Sequence, residues 1–154
     1  MLAGGALALA ACQPTTSSNS SGTIEASPAG LEQVPLTITT AAGKVHRFIV
    51  EVARTEAQQA QGLMNRQTLA PDRGMIFPYA TPTMAAFWMK NTLIPLDMIF
   101  IRADGTIARI EANTVPLSLD PVPAGEPVAA VLELAGGRSA ELGIAAGDKV
   151  EWTR

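Results

Sequence analysis

One cysteine and one histidine are all the thiol and imidazole that this 154-residue chain offers a metal. Neither has a second residue of its kind with which to build a zinc site. His46 opens a strand-like run and is expected to be an exposed or internally satisfied strand residue. Cys12 has no partner for a disulfide within the chain. Charge is sparse as well: 11 Lys and Arg stand against 14 Asp and Glu, a net charge of −3. That balance supplies no basic stripe of the kind nucleic acid requires. No glycine run leads into the lysine and hydroxyl residue of a phosphate-binding loop, and Gly136-Gly137 is expected to mark a turn. The apolar run over residues 1–11 is too short to span a bilayer as a helix, which takes roughly 20 residues. No cofactor and no metal site are expected.

What the N-terminus does hold is an apolar run closing on Leu9-Ala10-Ala11-Cys12. Small residues directly before a cysteine form the cleavage and acylation pattern of a bacterial lipoprotein, so Cys12 is the expected lipidation site. The run lacks the positively charged leader of an export signal, as a start placed too far downstream or a trimmed chain would leave it. Residues 13–30, rich in Ser, Thr, Asn, Gly and Pro, cannot recover by burial what ordering their backbone would cost. They are expected to form a flexible tether between a signal remnant at 1–12 and a single domain at 31–154. The membrane would then be touched through the lipid anchor alone. The expected location is the cell envelope, facing the periplasm. Gln13 is not the aspartate associated with inner-membrane retention, which favours the outer membrane.

Within the domain the apolar pattern is strand-like. Phe48, Val50 and Val52 alternate with Arg47, Ile49 and Glu51, a period of two. Leu36, Ile38 and Thr40 give a weaker strand. Residues 98–101 and 106–110 flank Ala103-Asp104-Gly105, a hairpin signal because Asp-Gly supplies the positive dihedrals of a tight turn. Residues 128–134 and 149–152 are further strands. Helix is favoured in two places only: after Thr55, where Gln58 completes a capping box, and over residues 139–142, closed by Gly143. This predicts a mainly β fold, an antiparallel barrel-like or distorted jelly-roll sandwich with one or two short helices.

Residues 62–100 carry a dense series of blocks: Gly62-Leu63-Met64-Asn65-Arg66, Gly74-Met75-Ile76-Phe77, Phe87-Trp88-Met89-Lys90-Asn91-Thr92 and Ile94-Pro95-Leu96-Asp97-Met98-Ile99-Phe100. With Glu51, Val131-Leu132-Glu133-Leu134 and Gly147-Asp148, they resemble the small bacterial and archaeal proteins of the DUF192 family over about residues 45–150. The resemblance implies a compact, mainly β, barrel-like domain of a kind often exported. It implies no particular activity.

Arg66, Lys90, Asn91, Asp97 and Glu133 stand beside apolar runs, where buried polar groups need partners. Arg66 or Lys90 can pair with Asp97 or Glu133, and spacing does not choose between them. One reading is an internal network that fixes loops to the barrel. A second is a cleft in which Trp88, Phe87 and Tyr79 give flat apolar surface, while Arg66, Trp88, Lys90, Asn91 and Asp97 bind a saccharide, a small anionic ligand or an envelope protein partner. A third makes Asp97 and Glu133 the acid and base of a hydrolase, provided they flank one bond. Met64, Met75, Met84, Met89 and Met98 are soft donors suited to Cu(I) only if they converge on an exposed point, and otherwise core filler.

Overall fold

The computed structural model describes residue 1 and residues 27–153. Cys12, the rest of the apolar run and most of the expected tether lie outside the described residues. Capping and turn chemistry act as the sequence predicts. Strands β1 (Gln33–Thr39) and β2 (Val45–Val52) are followed by helix α1 (Glu56–Gln61), whose N-cap Thr55 accepts from the Gln58 backbone while the Gln58 side chain accepts from the N-cap backbone. Strand β3 (Arg73–Thr83) and the short β4 (Ala86–Phe87) lead to β5 (Leu96–Ile101) and β6 (Ile107–Glu111). Gly105, at φ 85°, turns the β5–β6 hairpin, and the Asp104 carboxylate accepts from the Thr106 backbone N–H at 2.8 Å. Short β7 (Val122–Pro123), β8 (Val128–Ala135), α2 (Arg138–Leu142) and β9 (Lys149–Trp152) complete the order, with Gly143 left-handed after α2.

Seven strands form one curled sheet in the order β6-β5-β8-β3-β2-β1-β9, and β4 pairs with β7. The pairing is antiparallel except between β2 and β3, which run parallel because residues 53–72, including α1, carry the chain back across the sheet. The outer edges approach each other at one bridge, Thr106 to Lys149, where Val150 N–H donates to Gly105 O at 2.8 Å. The result is a partly open half-barrel. β3 was not expected as a strand. Its buried part, Gly74-Met75-Ile76-Phe77, lies between β2 and β8 and is apolar on both faces, so the period of two is hidden.

Both faces of the sheet are covered. Leu36, Ile38, Val50, Ile76, Leu132, Ile99 and Val150 share one core. Met75, Phe77, Met98, Phe100, Val131, Leu63 and Met89 belong to the other, under α1 and the loops around β4. Met75, Met89 and Met98 are thus core residues, whereas Met84 is exposed. The thioethers do not converge on an exposed point, and the condition for a copper site is not met. His46 pairs across the sheet with Ile38, on the first core's face, and is buried with Nε2 unpartnered. It is neither exposed nor fully satisfied, because its side chain falls on the core face of β2 with Phe48 and Val50.

Asp97 is fully buried on that same face, opposite Leu134. Its Oδ1 accepts from the backbone N–H groups of Asn113 (2.9 Å) and Gly137 (2.8 Å), and its Oδ2 from that of Ser139 (2.7 Å). One carboxylate therefore ties the loop after β6 and the first turn of α2 to β5. Asp97→Asn should destabilise the domain by about 3 kcal/mol, since an amide NH2 would face N–H donors and leave at least one of them buried without an acceptor. Urea unfolding measures this, and a loss below about 1 kcal/mol would remove Asp97 from that role.

Candidate functional site

Register across the sheet generates the site. Glu51 pairs with Met75, Met75 with Glu133, Glu133 with Met98, and Met98 with Glu111. Paired residues share a face, so three carboxylates and two thioethers form one row across β2, β3, β8, β5 and β6. The two outer carboxylates each have an arginine. Arg66 donates to both oxygens of Glu51, at 2.7 and 2.8 Å, and Ser27 donates to the same carboxylate. Arg109 pairs with Glu111. Burial pushes the Glu51 carboxyl up, but the Arg66 and Ser27 hydrogen bonds and the Arg66 charge bring it below the ordinary glutamate range.

Glu133, at the centre, has no such partner. It is 4% exposed and, among the described residues, its carboxyl takes part in no hydrogen bond or ion pair. Burial alone pushes its carboxyl up to about 8. It therefore holds a proton at neutral pH.

The Glu133 carboxyl lines a cavity of about 260 Å³. Its aromatic walls come from β3 (Phe77, Tyr79), β4 (Phe87) and the residue after β4, Trp88. Phe77 and Phe87 meet edge to face, ring centroids 5.0 Å apart. Gln59 and Gly62 close the side from α1 and its C-cap. Burial, and then the Glu133 charge, push the Tyr79 phenol up to about 12, so its hydroxyl keeps its proton.

The residues singled out from the sequence divide among several places. Trp88 is half-exposed on the cavity wall, and Lys90 Nζ lies 5.1 Å from its ring centroid. Asn91 adopts a left-handed φ of 53°, accepts from Asn65 N–H through its carbonyl, and points its amide at Met64, a wall residue. Arg66 lies elsewhere, in a second depression beside Glu51, Gln33 and Arg73. Neither Arg66 nor Lys90 pairs with Asp97 or Glu133. Asp97 aligns with Leu134 and Glu133 with Met98, so the two acids project from opposite faces of the sheet and cannot flank one bond as acid and base. Gln59, Phe77 and Thr92 were not anticipated as wall residues. Only the capping box that places Gln59 on the first turn of α1 was a usable signal.

The model of the DUF192 family, described as an uncharacterized ACR, matches residues 37–152. Two solved structures are similar to the domain. A Novosphingobium aromaticivorans DSM 12444 protein of unknown function is 52% identical, covering 82% of this chain and 91% of its own, with a TM-score of 0.79. A Sinorhizobium meliloti 1021 protein, described as a candidate transcription regulator, is 43% identical, covering 79% of this chain and 95% of its own, with a TM-score of 0.78. No curated protein matches the chain.

The raised Glu133 carboxyl has a consequence for stability. Between the ordinary glutamate value of 4.5 and about 8 the folded chain keeps a proton that the unfolded chain releases. Its contribution is neutral below that window and increasingly destabilising as pH rises through it, by about 1.4 kcal/mol per pH unit. Glu133→Gln should remove this term, so the variant's stability advantage over the parent should grow from pH 5 to pH 8. Urea unfolding at pH 5, 6.5 and 8 measures the difference; a constant offset would mean that Glu133 is not held protonated.

Proposed function

We propose, for a chain that belongs to the DUF192 family, a lipid-anchored envelope domain that binds a small ligand in the cavity floored by Glu133. The observation that carries this reading is the carboxyl itself. A buried polar group without a partner costs stability, and this one lies on the wall of an aromatic cavity just under the usual size of ligand pockets. Anchoring rests on the Leu9-Ala10-Ala11-Cys12 pattern, with the outer membrane favoured by Gln13. The lining supports a small, largely apolar ligand better than the saccharide or anion considered from the sequence. Arg66, the donor that an anion would need, is engaged by Glu51. A nucleic-acid role, as the description of the Sinorhizobium protein would suggest, has no support in a net charge of −3.

A second reading keeps one favourable observation. A carboxyl protonated at neutral pH inside an apolar cavity is suited to general acid work. The cavity lining contains no other carboxylate to serve as base or nucleophile.

Two measurements test the proposal. Ligand screening by NMR should shift the Trp88 indole and the Phe77, Tyr79 and Phe87 rings together. Trp88→Ala should weaken binding at least tenfold while costing less stability than the ~3–5 kcal/mol of a buried tryptophan, because the residue is 50% exposed. Hits that shift other surfaces only, with the cavity resonances unmoved, would defeat the cavity reading. In a host supplying a complete export signal, Cys12→Ser should move the protein from the membrane to the soluble fraction. Unchanged fractionation would defeat the anchor.

A further inference from the structure

We infer that the ligand of this cavity carries a positive charge on a head group with little hydrogen-bonding demand, a quaternary or otherwise fully methylated ammonium, for which Glu133 is the counter-charge and the aromatic side chains are the walls. The inference rests on the cavity reading and deepens it.

Three observations select the class. First, among the wall residues Glu133 is the one acid, and there is no lysine, arginine or histidine, so the lining offers a cation a partner and an anion none. Second, two of the other polar wall side chains have their donors engaged by the backbone. Gln59 Nε2 donates to Ala53 O and Pro78 O, and the Thr92 hydroxyl donates to Lys90 O. A sugar, whose hydroxyls need donors as well as acceptors, would lose water contacts that these groups do not replace. Third, Phe77, Tyr79, Phe87 and Trp88 present ring surface, and a methylated ammonium is held by ring faces without hydrogen bonds. The Trp88 ring already takes one cation in this way, Lys90 Nζ at 5.1 Å.

The charge arrangement around Glu133 makes the site depend on pH. From β3 it is faced by Met75 and by Tyr79, which stays neutral; from β5 by Met98; from α1 by the amide of Gln59; and from the loop after β4 by Thr92, with Lys90 held over Trp88. The next carboxylates along the row, Glu51 and Glu111, are each matched by an arginine. No resident cation therefore ionises Glu133. A bound ammonium would do so, and the carboxyl proton would pass to solvent. Binding of a fixed-charge ligand should accordingly tighten about tenfold per pH unit on the acid side of pH 8, then level off.

The test is calorimetric titration of the full chain with choline and with its neutral isostere 3,3-dimethylbutan-1-ol, at pH 5.5, 7 and 8.5, in buffers of different ionisation enthalpy. Choline should bind at least tenfold tighter than the isostere at pH 8.5, release close to one proton per ligand at pH 5.5, and lose both the preference and the pH dependence in Glu133→Gln. Equal binding of the two ligands, pH-independent choline binding, or choline affinity unchanged in Glu133→Gln would overturn the cationic class while leaving a ligand cavity in place. If no compound of any charge shifts the Trp88 resonance, the cavity reading falls with it. Competition by phosphatidylcholine vesicles for the choline site would identify a lipid head group as the source of the ammonium. Choline binding undisturbed by vesicles would identify a free solute.

Discussion

The pleat of the sheet is the constraint on which the rest of this molecule depends. Because successive side chains alternate faces, one register assigns every strand residue to one of two cores. Val52, Ile76, Leu132 and Ile99 line up on one side, and Glu51, Met75, Glu133 and Met98 on the other. A shift of β8 by one residue would move Glu133 into the aliphatic core beside Ile76 and Ile99, and would turn Leu132 and Leu134 toward the cavity. Gly74 helps to hold that register. A Cβ there would stand 2.5 Å from Glu133 O, closer than any packing tolerates, so β3 and β8 are matched at the point where the site begins.

Asp97 and Glu133 show how the same chemical group takes opposite parts on the two faces. Asp97 receives three backbone N–H donors and becomes a fastening between β5, the loop after β6 and α2. Glu133 receives none and keeps its proton instead. Asp148 is of the first kind, accepting from Ala41 N–H and Ala145 N–H at 2.8 Å each. A buried acid with its acceptor capacity filled belongs to the scaffold. One whose acceptor capacity is unused, on a cavity wall, is available to something else.

Local chemistry was readable from the sequence because it depends on residues a few positions apart. The Thr55 to Gln58 box, the Asp104-Gly105 turn and the alternation around Val50 each became the element they indicate. Pairing was not readable. Arg66 meets Glu51 only because residues 53–72 return β3 parallel to β2, and nothing in the spacing of 15 residues distinguishes Glu51 from Asp97 as its partner. The aromatic block after residue 86 supplies Phe87 and Trp88 to the cavity wall. The floor of the cavity was visible only once β8 was seen between β3 and β5.

The row also explains why Glu133 stays without a partner when two arginines share its face. Adjacent strands stand about 4.8 Å apart, so Glu51 is removed from Glu133 by roughly 10 Å, with Met75 between them. Met98 spaces Glu111 in the same way on the other side. Either arginine could approach Glu133 only by abandoning its own carboxylate, which in the case of Glu51 is itself buried. Leaving a buried charge unmatched costs several kcal/mol, so the outer pairs hold their arginines in place. The thioethers that separate the pairs from the centre bring no donor and no charge. The centre of the sheet is consequently the one point of the row where a proton stands in for a counter-ion, and the aromatic cavity opens onto that point.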